Sequence, residues 1–464
     1  MKGRVQCIHF TGIGGIGMSG IAEVLHNQGY SVQGSDAAES PNVERLRALG
    51  IAVFVGHAAG QLGKAQVVVA SSAIKPDNAE IVEAQARGIP VIPRAEMLAE
   101  LMRMKQGIAV AGSHGKTTIT SLIAHGMEVA GLDPTYVIGG RLIASGDNSR
   151  LGESPYLVAE ADESDGSFLR LSPTIAVVSN IDPEHLDHYG DFDHLLAAFR
   201  QFVNSVPFYG RAVLHHEHPN VALLRDDLHK AVSTYGRSPQ ADYHILDIET
   251  RAGGQRITFG YADGGEQVSF ELPMPGYHNA ENALAAVAVL RELGMDMPTI
   301  CKGMQSFSGI QRRFQTIKLG SGTLVDDYGH HPAEVMATLA TARLSWPDEQ
   351  VLVLFQPHRY TRSRDLMNEF LGAFDDAAEV VLLPVYAAGE KEIDGVNSEI
   401  MASGMQQRGH RNVRSCADLN EAREIAIKGL AEGRVVLLMG AGSIGGLAAS
   451  LRKDLGSPAG GQRS

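Results

Sequence analysis

Residues 107–121 limit what this 464-residue chain can fold into more than any other stretch. They start as an apolar strand at 108–111, pass through a glycine-containing turn and continue as a helix from about Lys116. In such a turn the backbone amides and the helix N-terminus point at an anion. The sequence therefore predicts a phosphate-binding loop, and with it an α/β fold whose sheet is mostly parallel.

The residue types in this turn suit the outer phosphates of a nucleotide. Gly112 and Gly115 let the backbone approach an anion closely, and Lys116 adds a mobile positive charge. The hydroxyl of Thr117 can complete the coordination shell of Mg²⁺. The strict pattern has a further glycine where Val110 stands, so an ordinary strand-to-helix turn is the alternative. A Gly-Lys-Thr-Thr run directly after an apolar strand favours the phosphate loop.

A second glycine-rich turn follows the first apolar strand of the chain. It has the Gly-x-Gly-x-x-Gly spacing, and an acidic residue follows at the end of the next strand. The residues are Gly12, Gly14, Gly15, Gly17 and Asp36. Alone, the pattern predicts a nucleotide diphosphate on the helix and Asp36 on a ribose, as in an NAD-dependent dehydrogenase. Residues 440–445 repeat the spacing, and a tight strand-to-helix turn explains that copy at least as well.

Strands that alternate with helices predict several domains, since the length exceeds that of one ordinary core. The expected division is 1–105, 106–312 and 313–464. Residues 243–273 alternate between apolar and polar types and predict a hairpin-rich extension. The predicted fold class is therefore α/β, with two Rossmann-like domains on either side of a central domain that carries the phosphate loop.

Composition and charge limit the partners and the location. The formal net charge of −13 argues against nucleic-acid binding, which needs a basic face. An anionic substrate in a locally basic cleft is still compatible with it. No stretch is long and apolar enough to predict a membrane span. The three scattered cysteines are typical of a reducing cytosol, so we expect a cytoplasmic protein.

Polar clusters follow two predicted strands of the central domain. Glu160 ends one strand and opens an acidic run at 160–165, and His185 follows the next strand. Parallel strands place their carboxyl ends at one edge of a sheet, where the phosphate loop also lies. Thr117 and Glu160 therefore predict a Mg²⁺ site, and a solvated acidic loop is the alternative. His185 could bind a second metal or contact a phosphate.

Two further polar clusters follow strands of the third predicted domain. Tyr328 and His330 belong to the first, and His358, Arg359 and Arg362 to the second. Two arginines so close together suit a carboxylate, because a guanidinium can form paired hydrogen bonds with it.

Five segments together resemble the Mur ligases, which are ATP-dependent amino-acid ligases of peptidoglycan synthesis. The segments are 12–25, 112–118, 160–165, 327–332 and 356–362, and the resemblance covers about residues 5–446. The family commonly has threonine where Ser113 stands.

The resemblance implies a UDP-binding, an ATP-binding and an amino-acid-binding domain, in that order. ATP would convert the lactyl carboxylate of UDP-N-acetylmuramate into an acyl phosphate, which the amine of L-alanine then attacks. The UDP part would lie on Gly12, Gly14, Gly15, Gly17, Asp36, His57 and Ser72. ATP would be bound by Gly112, Ser113, His114, Gly115, Lys116, Thr117, Thr118, Asn282 and Arg313.

The remaining implied residues serve the metal, the amino acid and catalysis. Mg²⁺ would be held by Thr117, Glu160 and His185. The amino-acid end would be lined by Tyr328, His330, His358, Arg359 and Arg362. Lys116, His185, His330 and Arg359 would act in catalysis.

Three alternatives stay open at this level. One is a Mur ligase that joins a recycled tripeptide to UDP-N-acetylmuramate. Another is an NAD-dependent dehydrogenase, which leaves the phosphate loop unexplained. The third is a non-catalytic, nucleotide-gated sensor of cell-wall precursors, although Lys116, Glu160 and His185 are all present. The oligomeric state, monomer or homodimer, is left open.

Overall fold

The structure is a computed structural model with an α/β fold. It describes residues 4–71, 73–140, 142–143, 148–226, 228–251, 253–262, 267–347 and 351–455. The chain forms two compact units. The first consists of Met1–Asp247, Ile257–Phe270 and Glu281–Ser308, and the second of Ile248–Arg256, Glu271–Ala280 and Gly309–Ser464.

The first sheet is built from β1 Cys7–Thr11, β2 Ser31–Asp36, β3 Ala52–Val55, β4 Val67–Ala70 and β5 Val91–Pro93. Its strands lie in the order β3-β2-β1-β4-β5, and the neighbouring pairs are parallel. The strand order therefore reverses next to β1, whose carboxyl end opens into the turn at Gly12. Open α/β sheets bind their ligands at such a point.

The second sheet contains the strand of the phosphate loop. Its strands are β6 Gln106–Ala111, β7 Thr135–Val137, β8 Ser149–Arg150, β9 Tyr156–Glu160, β10 Ile175–Val178, β11 Arg211–His215, β12 Ala231–Gly236, β13 Tyr243–Arg251, β14 Gly254–Tyr261 and β15 Val268–Leu272. Their order is β15-β14-β13-β12-β11-β10-β6-β9-β7-β8. Because β6 pairs in parallel with both β9 and β10, the segments that follow these three strands leave the sheet at the same edge.

The third sheet lies in the second unit. Its strands are β16 Gln315–Leu319, β17 Gly322–Asp327, β18 Val351–Phe355, β19 Glu379–Leu382, β20 Val413–Ser415 and β21 Val435–Met439. They lie in the order β16-β17-β21-β18-β19-β20, and only β16 is recorded as antiparallel to its neighbour. Every residue of β18 and β21 is buried, as expected for central parallel strands covered on both faces.

Helices connect and cover the strands. They are α1 Ile16–Asn27, α2 Pro41–Ala48, α3 Ala79–Ala86, α4 Arg94–Met102, α5 Lys116–Val129, α6 Leu186–Tyr189, α7 Phe192–Asn204, α8 Pro219–Ala222, α9 Tyr277–Glu292, α10 Met297–Gln305, α11 Pro332–Ser345, α12 Tyr360–Asp365, α13 Met367–Gly372, α14 Ser398–Gln407, α15 Leu419–Ala431 and α16 Ile444–Leu455. Side-chain caps begin several of them, such as Ser40 on α2 and Asp191 on α7. In the described chain, no helix is both long and apolar enough to cross a membrane.

The predicted α/β class with mostly parallel sheets is confirmed. The extension at 243–273 contains consecutive strands β13, β14 and β15 that lie side by side. The helix predicted over 94–105 ends earlier, at Met102. Three strands, β8, β12 and β16, were not predicted.

Candidate active site

The first glycine turn is held by the neighbouring strand β2. The amides of Gly12 and Ile13 donate to the carbonyl of Ser35 at 2.8 and 2.9 Å. The amide of Gly14 donates to Oδ2 of Asp36 at 2.8 Å, and a Cβ atom on Gly14 would lie 2.9 Å from the same oxygen. Asp36 therefore closes the turn from within the protein, a role that the sequence pattern did not predict.

A cation from α4 lies beside this turn. Gly15 is the N-cap of α1, and Gly17 lies in the first turn of the helix. A Cβ atom on Gly17 would come within 2.9 Å of Nη1 of Arg94, whose Nη2 lies 3.1 Å from Oδ2 of Asp162. Arg94 thus brings positive charge to a helix N-terminus, where anions are favoured, and links it to the acidic run after β9. No pattern in the sequence marked Arg94 as a site residue.

Two further residues, His57 and Ser72, are expected at the UDP end. His57 follows β3, and its Nδ1 lies 2.8 Å from Oγ of Ser35 at the end of β2. Ser72 lies outside the described residues.

The phosphate loop is braced from the end of β10. Oδ1 of Asn180 accepts from the amide of His114 at 2.7 Å, and its Nδ2 donates to the carbonyl of His114 at 3.1 Å. Oγ of Ser179 donates to that carbonyl at 2.6 Å, and Oγ of Ser113 accepts from the amide of Asp182 at 2.9 Å. These bonds fix the loop within the protein itself, which is how preorganised anion sites avoid a reorganisation cost.

Directly after the loop, the N-terminus of α5 is left open. Its N-cap, Gly115, has a φ of +86° and provides no side-chain cap. The first amides of a helix have no partner within the helix. Within the described part of the chain, the amides of Lys116, Thr117 and Thr118 donate to no other group. This end of α5 can therefore bind an anion.

Lys116 is already paired within the protein. Its Nζ lies 2.8 and 2.9 Å from the two carboxylate oxygens of Glu163, and it donates to the carbonyl of Gly112 at 2.5 Å. Burial alone would lower the pKa of Lys116, but the carboxylates around it, Glu163 above all, outweigh this effect and raise the pKa. Lys116 is therefore charged at neutral pH, as a phosphate contact requires.

Glu163 and His185 belong to the same cluster as Lys116. The side chain of Glu163 is only 3% exposed, and its Oε1 lies 4.0 Å from Nε2 of His185. His185 has a φ of +58°, a backbone conformation that is costly for a residue other than glycine and is retained mainly at functional sites. Within the acidic run, the sequence pattern favoured Glu160 over Glu163 as a metal ligand.

Glu160 lies at the end of β9, as its position in the sequence predicts. Its Oε1 accepts from the amide of Gly139 at 2.6 Å. A Cβ atom on Gly139 would come within 2.8 Å of Oε2. Glu160 is therefore held at the carboxyl edge of the sheet by a residue that follows β7.

Two histidines flank Asp182, which was not predicted as a site residue. Nε2 of His114 lies 3.4 Å from Oδ2 of Asp182, and Nε2 of His218 lies 3.6 Å from Oδ1. The hydrogen bonds from these two histidines hold the pKa of Asp182 well below its usual range. Asp182 is therefore a fixed negative charge beside the loop.

Asn282 approaches the phosphate loop from α9. A Cβ atom on Gly115 would lie 2.5 Å from Oδ1 of Asn282, so only glycine fits here without a shift of that amide. Of the residues expected to bind ATP, Asn282 is thus next to the loop.

In the second unit, Tyr328 lies against two arginines. The guanidinium carbons of Arg312 and Arg313 lie 4.9 and 5.4 Å from the centre of its ring. Such contacts stabilise a cation over an aromatic face. Arg312 has a φ of +60°, and its guanidinium bonds the carbonyl of Gly440.

The two polar clusters predicted after β17 and β18 come together. The rings of His330 and His358 lie 5.7 Å apart, and the ring of Tyr328 lies 5.5 Å from that of His330. Nη1 of Arg362 lies 3.3 Å from Nδ1 of His358. Arg359 has a φ of +70°, and its amide donates to a backbone carbonyl at 2.8 Å.

Three family models match the chain in sequence order. Their descriptions are Mur ligase family, catalytic domain, at residues 7–106; Mur ligase middle domain, at residues 110–290; and Mur ligase, glutamate ligase domain, at residues 312–442. The chain belongs to the Mur ligase family.

Curated relatives match this Mur ligase over nearly their whole length. It is 51% identical to the UDP-N-acetylmuramate–L-alanine ligase of Syntrophotalea carbinolica, with 96% of this chain and 97% of that protein covered. It is 52% identical to a protein of the same name from Anaeromyxobacter sp., with 96% of each covered. The solved structure of the UDP-N-acetylmuramate-alanine ligase of Thermotoga maritima superposes with a TM-score of 0.83 at 29% identity, covering 97% of this chain and 99% of that one.

The groups around the phosphate loop of this Mur ligase fit a divalent cation. Glu160, Glu163 and Asp162 supply carboxylate oxygens at one sheet edge, and Thr117 supplies a hydroxyl at the first turn of α5. Hard oxygen donors of this kind are the ligands that Mg²⁺ prefers. The imidazole of His185 is a less usual ligand for Mg²⁺ than an oxygen.

We expect Gly112→Ala to disable the phosphate loop of this Mur ligase. Gly112 has a φ of +134°, and a Cβ atom there would lie 2.2 Å from Oγ of Ser179, one of the braces. Turnover should fall by at least ~10², because a shift of about 1 Å in a positioned group can cost that much. Phosphate release under saturating ATP measures the effect.

The matched control for this substitution is Gly131→Ala. Gly131 has a φ of +77°, and nothing lies within 4 Å of its Cβ position. Alanine at Gly131 also has an unfavourable positive φ, which costs about 1–2 kcal/mol, but it makes no close contact of the kind that Gly112→Ala makes with Ser179. Equal turnover in the two variants would show that the contact with Ser179 does not matter.

We expect His330 and His358 to stay neutral until well below pH 6. Burial above all, together with the charge of Arg362, lowers the pKa of each ring to about 4. In the unfolded chain they titrate near 6.5. Their contribution to stability is therefore present above pH 6.5 and is lost as the pH falls towards 4.

Histidine ring signals in an NMR titration of the full chain test this expectation, with His330→Asn and His358→Asn used for assignment. The two assigned signals should move near pH 4. Signals that move near pH 6.5 in the folded protein would contradict it.

Proposed function

We propose that this Mur ligase joins L-alanine to the lactyl carboxylate of UDP-N-acetylmuramate, with conversion of ATP to ADP and phosphate, in peptidoglycan precursor synthesis. The observation that carries the proposal is the name shared by relatives that are 51% and 52% identical over nearly the whole chain. The braced phosphate loop with its charged Lys116 supports the ATP-dependent part of it.

We assign the binding of UDP, of ATP and of the amino acid to three domains, at residues 1–105, 106–312 and 313–464 respectively. The UDP end would lie on the first glycine turn with Asp36, His57 and Ser72. ATP would lie on residues 112–118, Asn282 and Arg313. The amino acid would lie at Tyr328, His330, His358, Arg359 and Arg362. The order and extent of the three matched family models support this division.

In the first chemical step, an oxygen of the lactyl carboxylate attacks the terminal phosphorus of ATP. The bond from that phosphorus to the oxygen of ADP breaks, and an acyl phosphate forms. The open amides of α5 and the ammonium of Lys116 hold the phosphate group and offset its charge. Because Glu163 already pairs with Lys116, the phosphate competes with that carboxylate for the ammonium.

We propose that Thr117, Glu160 and His185 hold Mg²⁺. When bound, this ion supplies further positive charge against the phosphate oxygens. The hydrogen bond from the amide of Gly139 fixes the orientation of the Glu160 carboxylate.

In the second step, the neutral amine nitrogen of L-alanine attacks the carbonyl carbon of the acyl phosphate. The bond from that carbon to the phosphate oxygen breaks, and phosphate leaves with the bonding electrons and accepts the proton that the amine loses. Arg359 and Arg362 would hold the carboxylate of the amino acid, which aims its amine. The rings of His330 and His358 are neutral at pH 7 and add no repulsion to the ammonium group before it loses its proton.

Mass spectrometry of the product tests the proposal. The protein is incubated with ATP, Mg²⁺, UDP-N-acetylmuramate and, in turn, L-alanine, glycine or L-serine. L-alanine should give the fastest amide formation, with the other two slower by a factor of ~10–200, as a tight pocket for a small side chain allows. Nucleotide binding with no amide product from any of them would favour the sensor instead.

We also propose that the protein acts in the cytoplasm. Cys7, Cys301 and Cys416 are free thiols in the structure, which suits a reducing compartment.

A further inference from the structure

Tyr386 lies in the loop that follows β19, and its main chain is fixed to the segment after β18. The amide of Tyr386 donates to the carbonyl of Pro357 at 2.8 Å, and the carbonyl of Tyr386 accepts from the amide of Arg359 at 2.8 Å. His358, between these two partners, is paired with Tyr386 in an isolated parallel bridge. Tyr386 is therefore held beside the predicted amino-acid cluster, although no pattern in the sequence marked it as a site residue.

The ring of Tyr386 is held by packing as well. It stacks on the imidazole of His358, with the ring centres 5.5 Å apart and the planes 14° from parallel. It also lies against the turn between β21 and α16, where a Cβ atom on Gly442 would come within 2.7 Å of Cγ of Tyr386. A ring packed against two neighbours cannot move aside without losing those contacts.

This turn belongs to the second copy of the Gly-x-Gly-x-x-Gly spacing, at 440–445. The side chain of Gln356 also lies against it, because Oε1 of Gln356 accepts from the amide of Ile444 at 2.9 Å and would lie 2.6 Å from a Cβ atom on Gly442. Gln356 and Tyr386 thus pack on the turn, as expected for a tight strand-to-helix turn rather than a nucleotide site. Glycine at position 442 leaves room for the tyrosine ring.

Tyr386 extends the two predicted histidines into a row of rings. The ring centres of His330 and His358 are 5.7 Å apart, and the stacked pair of His358 and Tyr386 continues the row. The two arginines predicted to bind a carboxylate lie at this end of it. The main chain of Arg359 bonds Tyr386, and Nη1 of Arg362 lies 3.3 Å from Nδ1 of His358.

An amino acid bound here would bring its side chain close to Tyr386. Its carboxylate would lie on Arg359 and Arg362, and its Cα atom is only about 1.5 Å from the carboxyl carbon. The first atom of its side chain would therefore lie next to the arginines, of which Arg359 is bonded directly to Tyr386. A methyl group fits beside the ring, whereas each further methylene would have to displace a ring that is already packed.

We propose that the ring of Tyr386 limits the size of the amino-acid side chain and so selects L-alanine against larger amino acids. Tyr386 is a specificity-determining residue that touches the side chain of the substrate. The inference rests on the proposed function for the reaction and for the place of the amino acid. It adds the residue that sets the upper limit on side-chain size.

Phosphate release with ATP, Mg²⁺ and UDP-N-acetylmuramate tests the inference, through kcat/KM for L-alanine and for L-2-aminobutyrate, which has one methylene more. The wild type should favour L-alanine by at least ~10-fold, the effect of one methylene in a fitted pocket. Tyr386→Ala should bring this ratio to within about threefold, and Tyr386→Leu should lower it less. Tyr386→Phe keeps the ring and should keep the wild-type ratio.

The matched control is Tyr209→Ala, which removes another exposed tyrosine ring. Tyr209 is 69% exposed and lies in the first unit, just before β11, so the ratio should stay as in the wild type. A wild-type ratio in Tyr386→Ala would overturn the inference. An equal loss of kcat/KM for both amino acids would give that result, because the ring would then only hold His358 in place.

Thermal unfolding shows whether the variants are folded. The side chain of Tyr386 is 40% exposed, so its loss should cost little stability, and Tyr386→Leu decides the question if Tyr386→Ala is unfolded. Absence of phosphate release from the wild type with every amino acid would defeat the proposed function and the inference together. Release with L-alanine at an unchanged ratio across the Tyr386 variants would defeat the inference alone.

Discussion

Lys116→Met is expected to lower turnover by at least ~10², in line with the loss of one group that stabilises charge during transfer. Methionine has an unbranched side chain of similar length but no ammonium group. The open amides of α5 still bind phosphate, so the loss should fall on the rate rather than on ATP affinity alone. Steady-state phosphate release at saturating ATP measures it.

The structure adds a consequence for stability. Lys116 is the partner of Glu163, whose side chain is only 3% exposed, so its removal leaves a buried carboxylate without its cation. Loss of one partner of a buried ion pair costs about 3–5 kcal/mol. The double variant Lys116→Met/Glu163→Gln should recover much of the unfolding midpoint and none of the turnover. A single or double variant with a near wild-type rate would contradict the role of Lys116.

Glu160→Gln is expected to have the second large effect. Glutamine keeps the size of the side chain and an oxygen that can accept from the amide of Gly139, so the fold should be preserved. The negative charge is lost, and with it the main attraction for a divalent cation. Turnover should fall by at least ~10², and the Mg²⁺ concentration for half-maximal rate should rise.

Asp165→Asn is the matched control within the same acidic run. Asp165 is exposed, and its Oδ1 accepts from the amide of Ser167 at 3.0 Å, a bond that asparagine can keep. Its rate and its Mg²⁺ requirement should match those of the wild type. If both variants behave alike, the run is a solvated acidic loop and Glu160 is not a metal ligand.

Local patterns predicted those elements whose apolar residues are continuous. β4, β9 and β21 have the bounds expected from the sequence, and α5 begins at Lys116. β16, Gln315–Leu319, was missed because it is an edge strand. Its residues alternate between more exposed and less exposed positions, so it has no continuous apolar run. Short amphipathic edge strands carry a weak signal in a single sequence.

The residues of the site were predictable, but their partners were not. Lys116 follows from the pattern of its own loop, whereas its ion pair joins positions 47 residues apart. The bond from the amide of His114 to Asn180 spans 66 residues. Such pairs depend on which strands become neighbours, since β9 and β10 both lie beside β6, and no local pattern contains that information.

Backbone strain is a further feature that the sequence does not reveal. Arg312 and Phe314 have φ values of +60° and +47°, in a region that favours glycine. The strain is held by a bond from the amide of Phe314 to Oδ2 of Asp327 at 2.8 Å. Asp327, the last residue of β17, was predicted only as part of a motif, so its structural role became visible only in the fold.

Phosphate release in the presence of ATP, Mg²⁺ and UDP-N-acetylmuramate tests the central claim most directly, when L-alanine is compared with the tripeptide L-alanyl-γ-D-glutamyl-diaminopimelate. The site described here should give rapid release with L-alanine and only background release with the tripeptide. A clear preference for the tripeptide would contradict the proposed substrate and assign the chain to the ligases that recycle peptides.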